Sequence, residues 1–279
     1  MKVLVTGANG FLGRGVVKRL IELGCEVIAT DLNTDCVDKR AVCIEKNVLS
    51  LDNPFQVFEK PDVLLHMAWR DGFIHNSEAH IVDLPLHYQF LRKMVDSGIK
   101  QIAVIGSMHE VGFHEGCIYE DTTCHPMSLY GISKNALRDM TKILCEQNQV
   151  VYQWLRGYYI VANHVNGASI FSKIAKAAQN GEKEFPFTTG KNQYDFVDYD
   201  EFCQMVASVV LQKTVTGVID ICSGYPEKLA DRVERFITEN HYSIRLQYGV
   251  YPDRPYDSKA VWGDSHKIRQ ILENVEKMD

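Results

Sequence analysis

A tyrosine and a lysine stand four residues apart in the segment Tyr130-Gly131-Ile132-Ser133-Lys134. Both side chains lie on one face of any helix that begins here, because residues four apart are neighbours on a helix surface. A tyrosine serves as acid and base near neutral pH only if its pKa falls by roughly 3 units, and a nearby ammonium favours the phenolate. The pair therefore predicts proton exchange by Tyr130, with Lys134 lowering its pKa. Taken alone, it also fits an ordinary solvated helix face.

A serine follows a predicted buried strand. The run Gln101 to Ile105 is apolar and β-rich, and Gly106-Ser107 comes directly after it. The carboxyl ends of strands in a doubly wound sheet border the crevice that binds ligands. We therefore expect Ser107 to hydrogen-bond the substrate oxygen whose proton Tyr130 exchanges.

A glycine-rich turn connects the first predicted strand, Lys2 to Thr6, to a predicted helix from Gly13 to Leu23. Its glycines allow a sharp turn, a close approach of pyrophosphate to the backbone and tight packing of the helix on the strand. The helix N-terminus adds free N–H groups and the positive end of a dipole. The turn predicts a dinucleotide site with the binding residues Gly7, Asn9, Gly10, Phe11, Leu12 and Gly13.

An acid ends the second predicted strand, Val27 to Asp31. A carboxylate at this place accepts the adenosine ribose hydroxyls and repels a 2′-phosphate. Asp31 therefore favours NAD. NADP stays possible, because Arg14 could receive a 2′-phosphate.

The first 110 residues alternate short β-rich runs with helical patterns, which predicts an α/β fold with a Rossmann-type, doubly wound parallel sheet. We place a dinucleotide-binding domain at residues 1–160 and a smaller substrate-binding lobe at 161–279, with residues 198–222 returning to the sheet. Further predicted elements are the strands 63–66, 150–155 and 217–222 and the helices 84–96, 130–146, 200–211 and 265–277.

Composition narrows the class of partner. The chain has 279 residues, with 30 lysines and arginines against 36 aspartates and glutamates, a net charge of −6. Nucleic acid is disfavoured, because proteins that neutralise phosphate chains are usually basic. No run reaches the roughly 20 apolar residues needed to span a bilayer, and no leader peptide is recognisable, so we expect a cytoplasmic protein. The histidine spacing predicts no metal site.

Together these motifs resemble the extended short-chain dehydrogenases/reductases, in particular the NAD-dependent epimerase/dehydratase family that acts on nucleotide sugars. The resemblance covers nearly the whole chain. It rests on Thr6 to Gly13, Asp31, His66-Met67-Ala68-Trp69, Ser107, Tyr130 with Lys134, Leu155-Arg156, Tyr194 to Asp198, Arg254-Pro255-Tyr256-Asp257 and Trp262 to Lys267. In four places the chain departs from the family pattern: Asn47 replaces an aspartate, Asp83 and Tyr159 each replace an asparagine, and Tyr194 replaces an arginine.

The resemblance implies a set of site residues and an assembly. Cofactor contacts would come from Asn47, Met67, Ala68, Tyr130 and Lys134 in addition to the glycine turn. Substrate contacts would come from Ser107, Met108, Asn166, Arg254 and Asp257, and the substrate would be a nucleotide sugar. The two predicted helices at 84–96 and 130–146 correspond to those that pair in family homodimers. Their apolar positions Phe90, Leu91, Met94, Leu137, Met140, Ile143 and Leu144 could form such an interface or pack on the sheet.

The residues after Ser107 bear on the type of reaction. Related dehydratases carry an acid and a base at the next two places, which here are Met108 and His109. Methionine cannot donate a proton to a departing hydroxyl, so dehydration is disfavoured. His109 is either an auxiliary acid and base that titrates near working pH or an ordinary polar loop residue. Glu110 either orients His109 or faces solvent.

We therefore predict an NAD(P)-dependent oxidoreductase or epimerase that transfers hydride between a nucleotide-activated hexose and the nicotinamide. The two favoured activities are a sugar 4-epimerase and a 4-keto-6-deoxysugar reductase. A nucleotide-sugar dehydratase is one alternative. A dinucleotide-binding regulator without turnover is the other.

Overall fold

The computed structural model describes residues 1–253 and 257–276. Its strands are β1 (Lys2–Thr6), β2 (Glu26–Asp31), β3 (Val42–Glu45), β4 (Val63–His66), β5 (Gln101–Ser107), β6 (Gly116–Ile118), β7 (Val151–Gly157), β8 (Tyr159–Val161), β9 (Glu184–Pro186), β10 (Gln193–Asp198), β11 (Gly217–Ile221), β12 (Pro226–Lys228), β13 (Arg245–Gln247) and β14 (Ala260–Gly263). Its α-helices are α1 (Phe11–Glu22), α2 (Pro54–Val57), α3 (Ala79–Asp96), α4 (Leu129–Asn148), α5 (Ile170–Gln179), α6 (Tyr199–Val210), α7 (Leu229–Glu239) and α8 (His266–Glu276). Short 3-10 helices lie at Val48–Ser50 and Met108–Glu110.

The central sheet has seven parallel strands in the order β3-β2-β1-β4-β5-β7-β11. The chain builds outward from β1 in one direction and then from β4 in the other, as in a doubly wound sheet. The predicted Rossmann-type α/β fold is thus confirmed. The reversal between β1 and β4 opens a crevice at the carboxyl ends of these strands, where ligands bind in such folds.

Helices cover the sheet on both faces. Side chains alternate along β1, so that Val3 and Val5 join the core beneath α1 and α6, whereas Leu4 packs with Phe90 on the opposite side. Helices α3 and α4 pack against each other on that opposite side. Because both faces are buried, the strands are apolar along their whole length rather than alternating.

A smaller lobe has its own core. Strand β10 pairs with β12, β14 and β8 around a cluster of apolar and aromatic side chains. Phe187, Tyr194 and Phe196 are buried in this core. From the lobe the chain goes back to the main body, where α6 packs on α1 and β11 pairs with β7. The domain boundary at residue 160 stays a prediction.

Helix α3 begins five residues earlier than the predicted start at 84. In the structure Pro85 lies inside the helix, and the added turn buries the polar side chains of His80 and Asp83. An apolar pattern could not reveal such a turn.

Most of the apolar positions suggested for a dimer interface face the sheet instead. Phe90, Leu91, Met94, Leu137 and Leu144 are buried in the core, Met140 is half-buried, and Ile143 is exposed. In the described part of the chain, no helix combines the length and apolar character needed to cross a bilayer.

Candidate active site

The glycine turn leaves β1 at the crevice and depends on two glycines for its shape. Gly7 has a φ of +68°, and a Cβ added there would lie 2.7 Å from the Ala68 nitrogen. A Cβ at Gly13 would lie 2.2 Å from the Gly7 carbonyl oxygen. Both distances are far below van der Waals contact, so only glycine allows the turn to pack so closely.

The turn ends in an uncapped helix. Gly10 is the N-cap of α1 and provides no side-chain acceptor, and the first backbone bond of the helix runs from the Arg14 nitrogen to the Gly10 oxygen at 3.1 Å. Within the described residues, the N–H groups of Phe11, Leu12 and Gly13 therefore have no acceptor. Three free N–H groups at a helix N-terminus fit the pyrophosphate of a dinucleotide.

Asp31 lies beside this turn at the end of β2. Its carboxylate accepts hydrogen bonds from the backbone N–H groups of Asn9 at 3.0 Å and Leu32 at 2.8 Å. The Asn9 side chain in turn accepts from the Cys36 N–H at 3.0 Å. These bonds hold an anionic group at the position that discriminates between a ribose hydroxyl and a 2′-phosphate.

Asn47 lies on the next loop, which is held to Asp31 by a 3.0 Å bond from the Lys46 nitrogen to the Asp31 carbonyl oxygen. The Asn47 side-chain oxygen caps the 3-10 helix at Val48–Ser50 by accepting from the Leu49 nitrogen at 3.1 Å. Its amide nitrogen is the part left for an adenine contact, which stays a prediction.

We expect Asp31→Ser to shift the cofactor preference towards NADP. The variant removes the negative charge that repels a 2′-phosphate and leaves the nearby Arg14 available to receive it. The ratio of kcat/KM for NADP to that for NAD should rise roughly 10- to 100-fold, as expected for one hydrogen bond to a charged group. Steady-state kinetics with both cofactors measure this ratio, and an unchanged ratio would refute the role of Asp31.

A chain of buried polar groups fixes the end of β4. The Met67 and Ala68 nitrogens each donate to the Thr6 hydroxyl oxygen at 3.2 Å. That hydroxyl therefore donates its own proton to His66 Nδ1 at 2.8 Å, and His66 Nε2 donates to His87 Nδ1 at 2.9 Å. Both imidazoles are thus neutral and structural, while Met67 and Ala68 are held against Gly7 beside the predicted cofactor site.

Because these histidines are buried, we expect the free energy of unfolding to fall below about pH 6.5. Burial lowers the pKa of His87 to about 3 and that of His66 well below its usual value. The unfolded chain takes up protons as the pH passes about 6.5 and the folded chain does not, so stability present above that pH is lost as the pH falls. The loss by pH 5 is about 2 kcal/mol per group. Urea unfolding at pH 6.5 and at pH 5 measures this loss. His87→Phe should make the free energy of unfolding depend less on pH. A free energy of unfolding that does not change with pH would contradict the neutral, buried state of these histidines.

Tyr130 and Ser107 meet at the carboxyl edge of β5. Tyr130 is in the first turn of α4, whose N-cap Ser128 accepts from the Gly131 nitrogen at 3.1 Å. The Ser107 side chain lies near enough to the Tyr130 phenol to oppose the rise in its pKa that burial causes. The close approach requires Gly131, because a Cβ there would lie 2.4 Å from the His109 carbonyl oxygen.

Glu110 holds Ser107 from behind. It is fully buried, and its Oε1 accepts from the Ser107 nitrogen at 3.0 Å and from the Trp154 indole at 2.9 Å. The Arg156 side chain is also buried, with its Nε 3.6 Å from the same oxygen. The two roles that the sequence offered for Glu110, orienting His109 or facing solvent, are therefore wrong. Glu110 instead forms a capping box with Ser107.

Lys134 lies beneath the tyrosine. It is buried and donates to the Ile105 carbonyl oxygen at 2.8 Å, while its Nζ lies 4.0 Å from the centre of a Trp69 ring and 6.0 Å from that of Tyr130. Burial lowers the pKa of Lys134 to about 7. The predicted helical pair is thus on the buried side of α4, and the solvated-face alternative is wrong.

The chain by itself does not lower the pKa of Tyr130. Burial raises it to about 12, against the opposing interaction with Ser107, and the charge of Glu110 raises it further. The expected lowering by Lys134 is therefore wrong for these residues alone, because desolvation of the phenol is the largest influence on its pKa. The positive charge of oxidised NAD is the remaining source of stabilisation for the phenolate.

His109 faces the tyrosine ring, with the two ring centres 6.1 Å apart. Burial lowers its pKa to about 4, and the neighbouring His75 lowers it further. The expected titration near working pH is therefore wrong, because the protein solvates the imidazolium poorly. His109 is neutral at pH 7 and can offer one hydrogen-bond donor and one acceptor.

The sequence analysis missed His75, which lies in the loop between β4 and α3. Its ring stacks on that of Tyr130 at a centre-to-centre distance of 5.6 Å and lies 4.5 Å from that of His109. His80, also missed, meets the Tyr130 ring edge at 5.3 Å. No local pattern marks these residues, because more than 50 positions separate His75 from Tyr130 in the chain.

The predicted substrate residues are less closely grouped. Met108 follows Ser107 and packs mainly into the core of the small lobe. Asn166 lies in an exposed turn before α5. Asp257 lies near Tyr159. Burial raises the pKa of Tyr159, and Tyr194 and the charge of Asp257 raise it further. Arg254 is outside the described residues.

The described residues contain no group of three histidine, cysteine, aspartate or glutamate side chains arranged to hold a metal ion. Tyr130, Ser107 and Lys134 do meet beside a turn with the shape and free N–H groups for a dinucleotide. A sequence model of the NAD dependent epimerase/dehydratase family matches residues 3–222. The chain belongs to this family. This match confirms the predicted family. It also confirms NAD as the cofactor and an NAD-dependent oxidoreductase or epimerase as the class of enzyme.

Individual relatives are similar over nearly their whole length. The chain is 39% identical over 272 residues to dTDP-6-deoxy-L-talose 4-dehydrogenase (NAD(+)) of Aggregatibacter actinomycetemcomitans, covering 94% of this chain and 99% of that one. It is 23% identical to UDP-glucose 4-epimerase of Lactobacillus helveticus, and the match covers 98% of this chain and 91% of that one. Among solved structures, UDP-N-acetylglucosamine 4-epimerase from Methanobrevibacter ruminantium M1 superposes with a TM-score of 0.84 at 19% identity. The superposition covers 97% of this chain and 91% of that one. This last similarity supports the fold.

Proposed function

We propose that this protein is an NAD-dependent 4-oxidoreductase of a nucleotide-activated 6-deoxyhexose. The observation that carries the proposal is the meeting of Tyr130, Ser107 and Lys134 beside the glycine turn. The 39% identity to a dTDP-6-deoxy-L-talose 4-dehydrogenase favours net oxidation or reduction over epimerisation. A dTDP-linked 6-deoxyhexose is therefore the substrate to test first.

Each residue has a distinct part in the proposed reaction. The Tyr130 phenolate accepts the proton of the sugar 4-hydroxyl, and Ser107 donates a hydrogen bond to the same oxygen. Lys134, held below the ring by its bond to the Ile105 carbonyl oxygen, adds to the stabilisation of the phenolate by the positive charge of oxidised NAD. NAD supplies the acceptor for the hydride that leaves C4, so the products are a 4-keto sugar, NADH and a proton. Reduction of the 4-keto sugar is the same process in reverse.

His109 has a narrower role in this proposal than general acid and base. A neutral imidazole beside Tyr130 can hydrogen-bond a sugar hydroxyl, whereas little imidazolium is present to act as an acid at pH 7. Met108 offers no proton to a leaving hydroxyl, so dehydration remains disfavoured. A dinucleotide-binding regulator without turnover stays an alternative, and the grouping of Tyr130, Ser107 and Lys134 argues against it.

Substrate assays decide among these activities. The purified protein is incubated with NAD and dTDP-6-deoxy-L-talose, and in parallel with UDP-glucose, while NADH is followed by absorbance and products are separated. NADH formed in proportion to a 4-keto product supports the proposal. A new sugar formed without NADH would indicate an epimerase, and a product that has lost water would indicate a dehydratase. The absence of any product would indicate a binding protein. Each of these three results would overturn the proposed function.

We also propose a homodimer and a cytoplasmic location. Ile132 and Ile143 are exposed on α4, and their spacing of eleven residues places them three turns apart on one face. Ile81 and Val82 are exposed on the neighbouring α3. Light scattering of the purified protein, with Ile143→Asp as the disrupting variant, tests the dimer.

A further inference from the structure

The loop from Trp69 to Glu78 covers Tyr130 and is held in place by its backbone. The Tyr130 nitrogen donates to the His75 carbonyl oxygen at 2.8 Å, and the Leu129 nitrogen donates to the Asn76 side-chain oxygen at 3.2 Å. Both donors belong to the first turn of α4, where backbone N–H groups lack partners inside the helix. The loop and the helix that carries Tyr130 are thus joined directly.

A second set of bonds fixes the other side of this loop. The Trp69 indole can only donate, so His80 Nδ1 accepts its proton at 3.1 Å. His80 Nε2 therefore carries the hydrogen and donates to the Ile74 carbonyl oxygen at 3.0 Å. The Arg70 guanidinium forms a two-point ion pair with Asp83, one bond of which measures 2.9 Å. The loop is positioned without any contribution from the nitrogens of the His75 ring.

Those ring nitrogens face no protein partner in residues 1–253 and 257–276, and His75 is half-buried. The His109 ring nitrogens also have no protein partner among these residues. Burial and the neighbouring His80 lower the pKa of His75, so its imidazole is neutral and offers one donor and one acceptor. Two imidazoles therefore border the Tyr130 ring, and their ring nitrogens have no partner among the described residues.

We propose that His75 is a specificity-determining residue that hydrogen-bonds a hydroxyl of the hexose next to the one held by Tyr130 and Ser107. The inference rests on the proposed function, because it assumes that a hexose enters beside the phenol. The His75 ring stacks on that of Tyr130 and contacts that of His109, so it borders the space that a hexose held by Tyr130 and Ser107 would enter. The neighbouring 3-hydroxyl is the hexose group at that distance, since it is on the carbon adjacent to C4.

His75→Phe tests this role, because phenylalanine keeps the ring on Tyr130 and the loop's backbone bonds but has no polar atom. We expect the KM and the Kd for the nucleotide sugar to rise about tenfold, the effect of losing a neutral hydrogen bond. The Kd for NAD and the urea midpoint should stay as in the wild type. His266→Phe, an exposed histidine on α8, is the matched control and should change none of these values.

A substrate analogue separates a hydrogen bond from a change of shape. With the dTDP-3,6-dideoxyhexose that lacks the 3-hydroxyl, wild type and His75→Phe should bind with Kd values within about twofold of each other, because the lost partner is absent from both. Calorimetry of the NADH-loaded proteins measures these constants, because the reduced cofactor cannot accept a hydride and the sugar is not oxidised during the titration. An unchanged Kd for the parent sugar in His75→Phe, or a tenfold loss that persists with the analogue, would overturn the proposal. Wild type that binds the sugar but never forms NADH would instead refute the proposed function.

Discussion

Tyr130→Phe should lower kcat for sugar oxidation roughly 1000-fold, within the range that general acid–base catalysis contributes. The variant loses the oxygen that exchanges a proton with the substrate. It retains the ring that packs against His75 at 5.6 Å, His80 at 5.3 Å and Trp69 at 6.2 Å. We therefore expect the fold, the Kd for NAD and the urea midpoint to remain those of the wild type.

Tyr248→Phe is the matched control for this variant. Tyr248 is exposed, and its hydroxyl donates to Glu234 at 2.9 Å in the small lobe. Its removal should leave kcat unchanged. A Tyr130→Phe enzyme with wild-type kcat would show that another group transfers the proton, and would remove the basis for assigning Ser107 and Lys134 to the reaction.

Gly13→Ala should abolish NAD binding at accessible concentrations. The added Cβ would lie 2.2 Å from the Gly7 carbonyl oxygen and 2.9 Å from Ala8 backbone atoms. These neighbours are backbone, so the turn itself must move, at a cost of about 3 kcal/mol. A displaced turn no longer presents the N–H groups of Phe11 and Leu12 together, and we expect the Kd for NAD to rise roughly 100-fold or more.

Gly72→Ala shows whether the effect is specific to the turn. A Cβ at Gly72 meets no heavy atom within 4 Å, so this substitution should change neither stability nor NAD affinity. Calorimetric titration with NAD and thermal unfolding measure both quantities. NAD binding by Gly13→Ala with wild-type affinity would contradict the placement of the cofactor over this turn.

The fold and the reacting residues could be predicted because their signals are local. The glycine turn, the apolar strand before Ser107 and the spacing of Tyr130 and Lys134 each lie within a few consecutive residues. A doubly wound sheet then brings the ends of β1 and β5 to one edge. Local patterns and known topology together are enough to assemble this part of the site.

The remaining parts depend on contacts between distant segments. Glu110 is a surface residue by type, and only its burial against Trp154 and Arg156 makes it the partner of the Ser107 backbone. His75 reaches Tyr130 through a loop whose anchors are spread over two helices. Polar residues that are buried by such contacts carry no periodic signal, because periodicity reports apolar faces.

The pKa values could not be predicted for a related reason. A spacing of four residues places Lys134 near Tyr130 but does not tell how deeply either is buried. Burial raises the pKa of Tyr130 and lowers those of Lys134 and His109, and in each case it is the largest cause of the change. Desolvation is a property of the assembled site.

The most direct test of the proposed reaction follows the hydrogen on C4 of the sugar. The protein is incubated with NAD and dTDP-6-deoxy-L-talose that carries deuterium at C4, and the NADH formed is examined by mass spectrometry and proton NMR. We predict one deuterium at the nicotinamide C4 of each NADH, together with a 4-keto sugar that contains none. NADH without deuterium, or deuterium released to water, would contradict hydride transfer from C4.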